Sequence, residues 1–435
     1  MSSKKDIKKR NISVLICFVG LAAAIIAGKA VISTSKQHLR AEIEDVWYFG
    51  INENDPLSKR FFKDDVPNLC LSSDGEWAAI IYMLSSSKKL SEIKREGKFR
   101  LRILSRKEKG IIDLPIPGVY SIPFRWMLSY STNWAPDSGK ISFSGERKYG
   151  NYHMPSVWLF DLKSKNFKIL RDVASDILVP ILQPWSPDGT KLLIARYEKS
   201  KEKISFRIYD IRSLKEDEAA SFAFKDSKLR LGERMFALWD SGREKIFIWR
   251  AGKGIWEINI SNNKYRKTRI FKLPSYSLKW SDSYFLANSD LMLVDFYPED
   301  EKMKFGIFDL RAQKFIYLCQ NPFLLGANEE ELTSAFDPQI HAGNVFPHIG
   351  GRIILVLPFS RFFLPPRYYW LIFINHRNKV KVMRGESPIP KDEVILDVRW
   401  REDPHTLFIA TTNSSISDKV PRTKFIKVYK LKLVY

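Results

Sequence analysis

Seven short apolar runs recur along this chain, several of them alternating with polar residues at a period of two. The runs are Leu101–Leu104, Val157–Leu162, Phe206–Ile211, Ile255–Ile260, Phe305–Leu310, Tyr369–Ile374 and Phe425–Tyr429, and each reads as a strand with one buried face. Polar clusters such as 163–166 and 261–264 close several of them. Ahead of each run stands a second signal, a large apolar residue followed by turn residues and a further apolar stretch. Its sharpest copies are Trp134-Ala135-Pro136-Asp137-Ser138-Gly139-Lys140-Ile141 and Trp185-Ser186-Pro187-Asp188-Gly189-Thr190-Lys191-Leu192. Weaker copies begin at Trp239, Trp280 and Trp400, one at Leu71 has lost the tryptophan, and the most degenerate is Phe346-Pro347-His348-Ile349-Gly350-Gly351-Arg352-Ile353. Leading positions 71, 134, 185, 239, 280, 346 and 400 recur about every 55 residues.

Proline presets φ for the second position of a turn, while Asp and Gly supply the turn and bulge conformations. Asp137 and Asp188 are therefore expected to fold hairpins, and the leading tryptophans to cover the junctions between neighbouring sheets. A repeat of this length with four short strands is a propeller blade, so the chain is predicted to be an all-β, seven-bladed β-propeller. In these residues the repeat resembles the TolB-like propeller family, related to WD-repeat and prolyl-oligopeptidase propellers. The likeness covers residues 67–435 and is tightest in the second and third copies. It implies an interaction module, since TolB-like domains commonly bind other proteins. The last copy ends one strand short, and Asp45-Val46-Trp47-Tyr48-Phe49 has strand composition. That segment is expected to complete the seventh blade and remove an open sheet edge.

The amino terminus reads differently. Residues 1–11 form a basic segment with Lys4, Lys5, Lys8, Lys9 and Arg10, and residues 12–28 carry no charge. With Lys29 snorkelling, residues 12–32 are long enough for a transmembrane anchor, and the basic flank places the amino terminus in the cytoplasm. A cleaved signal peptide is the alternative, with Val31 and Ser33 as the small-residue site. Residues 33–44 read as a linker and 45–435 as the propeller. Both readings export the ring to the periplasm or cell surface, anchored or secreted, and both argue against nucleic acid as a partner.

Composition adds a charge to place. The chain has 435 residues and a formal charge of +22. Residues 1–40 hold eight basic residues against one acidic. The loops joining second and third strands, taken as 83–99, 145–156, 197–205, 250–254, 297–304, 358–368 and 413–424, together hold 19 Lys and Arg against 9 Asp and Glu. These loops emerge on the face opposite the repeat turns. The expected binding face is Lys88, Lys89, Lys94, Arg95, Arg147, Lys148, Tyr149, Tyr152, Arg361, Phe362, Phe363, Arg367 and Tyr368. Basic and aromatic groups so interleaved suit a protein or an anionic glycan, and the charge alone suits anionic lipid.

Catalytic motifs are missing from the sequence: no G-x-S-x-G elbow, H-E-x-x-H, P-loop or EF-hand loop occurs. With the repeats running to residue 435, no separate hydrolase domain is expected, a departure from the prolyl-oligopeptidase pattern. His341 and His348 flank a glycine-containing insert and could reach one metal, though two surface loop histidines are the plainer expectation. Cys17, Cys70 and Cys319 lack metal-site spacing, and no cofactor is expected. The reading is a non-catalytic, membrane-anchored interaction or scaffold module with protein partners in the cell envelope. Its rival is binding or cleavage of an anionic polysaccharide on the basic face.

Overall fold

A computed structural model describes residues 39–50, 68–84, 98–107, 111–119, 132–150, 152–170, 173, 179, 181–198, 202–223, 235–240, 245–250, 254–261, 264–271, 279–285, 290–297, 304–319, 345–348, 350–357, 368–413 and 425–435. The anchor segment 12–32 lies outside this set. Among the described residues no helix is long and apolar enough to cross a membrane.

The described residues form mostly antiparallel sheets arranged as the blades of a seven-bladed propeller. β1 (Arg40–Gly50) comes first and belongs to the last blade. Blade one is β2 (Asn68–Leu71), β3 (Trp77–Leu84), β4 (Lys98–Ser105) and β5 (Ile111–Pro115). Blade two is β6 (Thr132–Trp134), β7 (Lys140–Tyr149), β8 (Tyr152–Asp161) and β9 (Asn166–Leu170). Blade three is β10 (Ile181–Gln183), β11 (Lys191–Glu198), β12 (Lys203–Asp210) and β13 (Glu216–Ala223). Blade four is β14 (Met235–Trp239), β15 (Lys245–Arg250), β16 (Gly254–Ser261) and β17 (Lys264–Phe271). Blade five is β18 (Lys279–Phe285), β19 (Leu291–Tyr297), β20 (Lys304–Asp309) and β21 (Lys314–Cys319). Blade six is β22 (Val345–Pro347), β23 (Ile353–Val356), β24 (Tyr368–Ile374) and β25 (Val380–Glu386). Blade seven is β26 (Glu393–Trp400), β27 (Thr406–Asn413) and β28 (Phe425–Val434), with β1 outermost.

β1 runs antiparallel to β28 from Arg40 opposite Val434 to Gly50 opposite Phe425. Residues 40–44, read from sequence as linker, are part of this strand. A register shift falls between Ile43 and Asp45; Leu39, Ala41 and Val46 pack into the apolar cluster shared with blade six, while Ile43 is exposed.

The repeat turn has one geometry throughout. The leading residue pairs with the residue seven positions on, as Leu71 with Ala78, Trp134 with Ile141, Trp239 with Ile246 and Trp400 with Leu407. The following N–H donates across the turn, from Ser72 to Trp77 O at 3.0 Å and from Ser186 to Lys191 O at 2.9 Å. Four residues after the lead the backbone is left-handed, at Gly75 (φ 68°), Ser138 (φ 55°), Gly189 (φ 67°) and Gly351 (φ 67°). Asp74 and Asp188 accept from the N–H groups of Glu76 and Thr190 at 3.1 Å each, the Asx contact that stabilises such a turn.

This register corrects two sequence assignments. In blade five Phe285 pairs with Met292, and residues 280–285 continue the strand. The lead is therefore Phe285, five residues beyond Trp280; a lead at Trp280 would put Tyr284 at the left-handed fourth position, a backbone that bulky residues avoid. In blade six the leading residue is Pro347, paired with Ile354, which moves the lead one residue beyond Phe346.

Blade three departs from the pattern. β10 pairs in parallel with β14 of blade four, and blade three's own inner contact is a single bridge between Trp185 and Leu192. Elsewhere adjoining blades meet through side chains. The tryptophans do more than cover apolar area: Nε1 of Trp134 donates to Cys70 O at 2.9 Å, that of Trp185 to Asn133 O at 3.2 Å and that of Trp400 to Phe346 O at 2.8 Å. Each acceptor sits one residue before the lead of the preceding blade. Trp239 Nε1 is buried without a partner, and the equivalent carbonyl, Pro184 O, accepts from Leu193 N–H at 2.7 Å. At the closing seam, where blade one leads with Leu71, Asp397 Oδ2 of blade seven accepts the Leu71 N–H at 2.7 Å. Arg399 donates to Asp397 at 3.0 Å and to the Cys70 sulfur at 3.0 Å. The Cys70 thiol is free and buried, and burial pushes it up to about 11.

Candidate functional site: the loop face and its charges

In an antiparallel blade the ends of second strands lie opposite the repeat turns. There the β7–β8 hairpin outreaches that of the neighbouring blade three, with ten residues in each strand against eight in β11 and β12. Two further residues carry its tip about 7 Å beyond its neighbour. Residues 145–149 and 152–156, assigned to a loop from sequence, are thus a paired ribbon in full register, with Tyr149 opposite Tyr152. Gly150 makes the tip at φ 59°, where an added Cβ would meet nothing within 4 Å.

Of the thirteen residues expected on the face, Lys88, Lys89, Lys94, Arg95, Arg361, Phe362, Phe363 and Arg367 lie outside the described residues. So do the side chains of Tyr149, Tyr152 and Tyr368, whose strands are described. Lys148 is exposed on the hairpin. Arg147 is half-buried, folded back toward blade one so that an added Cβ on Gly118 would lie 3.3 Å from its Nε. That Nε is buried with no partner. Arg147 and Lys148 thus share one strand but different surroundings.

In three blades described basic residues are held by carboxylates. In blade three Lys203 lies 3.4 Å from Glu198 and 3.1 Å from Glu218, and Arg207 lies 3.6 Å from both. In blade one Arg100 and Arg102 both bind Asp113, at 2.6 Å each, and Tyr82 donates to the same carboxylate at 2.6 Å. Burial alone would raise the Asp113 pKa; the bonds from Tyr82, Arg100 and Arg102 outweigh it and hold the carboxyl below its usual range. Burial and that same bond push Tyr82 up to about 12. In blade seven buried Glu393 accepts from Lys427 at 2.8 Å, Tyr429 at 2.7 Å and Thr411. Burial opposes the Lys427 charge, but Glu393 and Tyr429 overcome it and raise its pKa. Counting over the loops left out Asp113, Glu218 and Glu393, which sit on strands outside them. Asp113 faces Arg102 directly across β4 and β5.

His348 is no loop histidine. It occupies the first turn position of blade six and is 7% exposed. Gly350 N–H donates to Nδ1 at 2.9 Å, so Nε2 carries the proton and donates to Glu402 O of blade seven at 3.0 Å. The ring stands edge-on to Trp400 at 5.4 Å. With its one lone pair engaged, His348 has no donor to offer a metal. His341 lies outside the described residues, and among those residues no group of three metal-ligating side chains occurs.

No family model matches the chain, and no curated protein matches it. Solved structures with a similar course of the chain include the β-propeller domain of the trilobed protease from Pyrococcus furiosus. That pair is 14% identical with a TM-score of 0.45, over 84% of this chain and 93% of that one. TolB from Acinetobacter baumannii is 13% identical with a TM-score of 0.33, over 62% of each chain. Oligogalacturonate lyase in complex with manganese is 8% identical with a TM-score of 0.43, over 91% of this chain and 98% of that one. These are likenesses of fold. They span a protease's domain, a lyase and TolB, so the site must be argued from its own residues.

Proposed function

We propose that this chain is a non-catalytic interaction propeller, exported and held at a membrane by residues 12–32, which engages a protein partner through the loop face around the β7–β8 hairpin. One observation carries the reading. The polar clusters at His348, Asp113 and Glu393 close on themselves, each having its hydrogen-bonding capacity taken up by neighbours in the fold. Groups so committed position strands; they do not shuttle protons or bind metals. What the hairpin offers instead is reach, with Lys148 exposed near a ribbon tip and Tyr149 and Tyr152 in the strands beside it. The basic flank and uncharged run at 1–32 support export and anchoring.

The test is proximity labelling on intact cell envelopes, comparing the wild-type chain with a Lys148→Glu, Tyr149→Ser, Tyr152→Ser variant. The expected outcome is one or a few proteins labelled by the wild type and reduced at least about tenfold by the variant. An unchanged labelled set would overturn the assignment of this face. Retention of the purified full chain on polyuronate, lost with the same variant, would replace the protein partner with an anionic glycan.

A further inference from the structure

Blades two and three leave a groove of about 280 Å³ on the face that carries the repeat turns, opposite the loop face. Leu159 and Phe167 of blade two and Ile211 and Leu214 of blade three give it apolar walls. Two features mark it as more than a packing gap between blades. Leu214 stands at its edge 56% exposed, with φ at 61°. A branched apolar side chain held in the left-handed region and turned to solvent is an uncommon arrangement.

The second feature is polar. Tyr209 lines the groove with its ring and is 2% exposed, yet its hydroxyl has no hydrogen-bond partner. Lys168, from the outermost strand of blade two, lies with Nζ 5.1 Å from the centre of that ring. Among the described residues no carboxylate comes within ion-pair distance of Lys168. The other charges of the groove are engaged: Lys140 lies 3.6 Å from Asp137, and Asp161 accepts from Ser164 N–H at 2.7 Å. An unpaired cation beside an unpaired phenol, next to apolar walls, matches an anion carried on an apolar body.

We propose that this groove binds a peptide segment of a partner in which a carboxylate adjoins a large apolar side chain. Lys168 and the Tyr209 hydroxyl take the carboxylate, and Leu159, Phe167, Ile211 and Leu214 take the apolar group. A peptide is favoured over a free acid because Leu214 projects from the rim, extending the contact past the groove itself. The site does not depend on the loop face, so failure of either reading leaves the other standing.

Calorimetry on the full chain with acetyl-Phe-Asp-amide as probe tests this. Lys168→Gln is expected to weaken binding about tenfold and Tyr209→Phe about threefold, while replacing the probe's Asp with Asn weakens it about tenfold. Tyr209→Phe removes a hydroxyl that has nothing to lose, so its thermal midpoint should not fall. Lys168→Gln lies on an outer strand and leaves the core intact, which keeps the test open should Tyr209→Phe disturb packing. Binding that ignores both substitutions, or no binding at millimolar probe, overturns the site. Hexanoate binding as tightly as the peptide overturns the peptide assignment.

Discussion

His348 donates from one ring nitrogen, accepts at the other and joins blade six to blade seven. His348→Ala should therefore cost about 2 kcal/mol in denaturant unfolding, since it strands the Gly350 N–H and the Glu402 carbonyl. Zinc should leave the wild-type midpoint unchanged. A pH dependence follows as well. Burial disfavours the imidazolium and sets the folded pKa below the ordinary 6.5. The unfolded chain binds the proton first, so the contribution of His348 is complete above that value and is lost as pH falls toward the folded pKa. Wild type should lose stability more steeply than His348→Gln as pH falls below about 6.5, as read from urea midpoints.

Among the elements, the repeat turn shows how far sequence reasoning carried. Where Asp and Gly stand at fixed offsets, as in 185–192, the turn was legible because few residues adopt that backbone. Ser138 shows the limit: it takes the left-handed position that Gly fills elsewhere, while Gly139 follows it. Blade five was misread because Trp280 is conspicuous and Phe285 is not. The three-residue β10 was invisible, since its partner β14 lies more than fifty residues on. Two glycines separate strain from contact. A Cβ on Gly75 would lie 2.7 Å from the Phe408 ring of blade seven at φ 68°, whereas one on Gly150 meets only solvent. Gly75→Ala should cost about 3 kcal/mol and Gly150→Ala about 1 kcal/mol in the same denaturation assay. Equal costs would mean that the seam between blades seven and one yields.

At the scale of the whole molecule, closure rests on β1. Its Trp47 packs edge-on against Phe408 at 5.9 Å, and Arg106 of blade one lies over the Trp47 ring at 4.4 Å while pairing with Asp45. A chain beginning at residue 51 should melt at least about 5 °C lower and aggregate through the bared edge of β28. A peptide of residues 39–50 added in trans should restore the midpoint; no recovery would count against β1 as the closing strand. The excess positive charge was legible as a number but not as a surface. Glu198, Glu218, Asp113 and Glu393, already subtracted in that net figure, hold particular Lys and Arg side chains across neighbouring strands that the fold brings together.

The pairing of Arg40 with Val434 also gives the ring a direction. β28 runs from the loop face to the repeat-turn face, so the chain that precedes β1 leaves from the repeat-turn side. Residues 33–39, fully stretched, reach about 25 Å. Under the proposed anchoring, the repeat-turn face looks down at the bilayer from within that distance. The groove between blades two and three would then open into a confined gap, accessible to partners rooted in the same membrane. The β7–β8 hairpin would point away from it, toward whatever lies across the compartment.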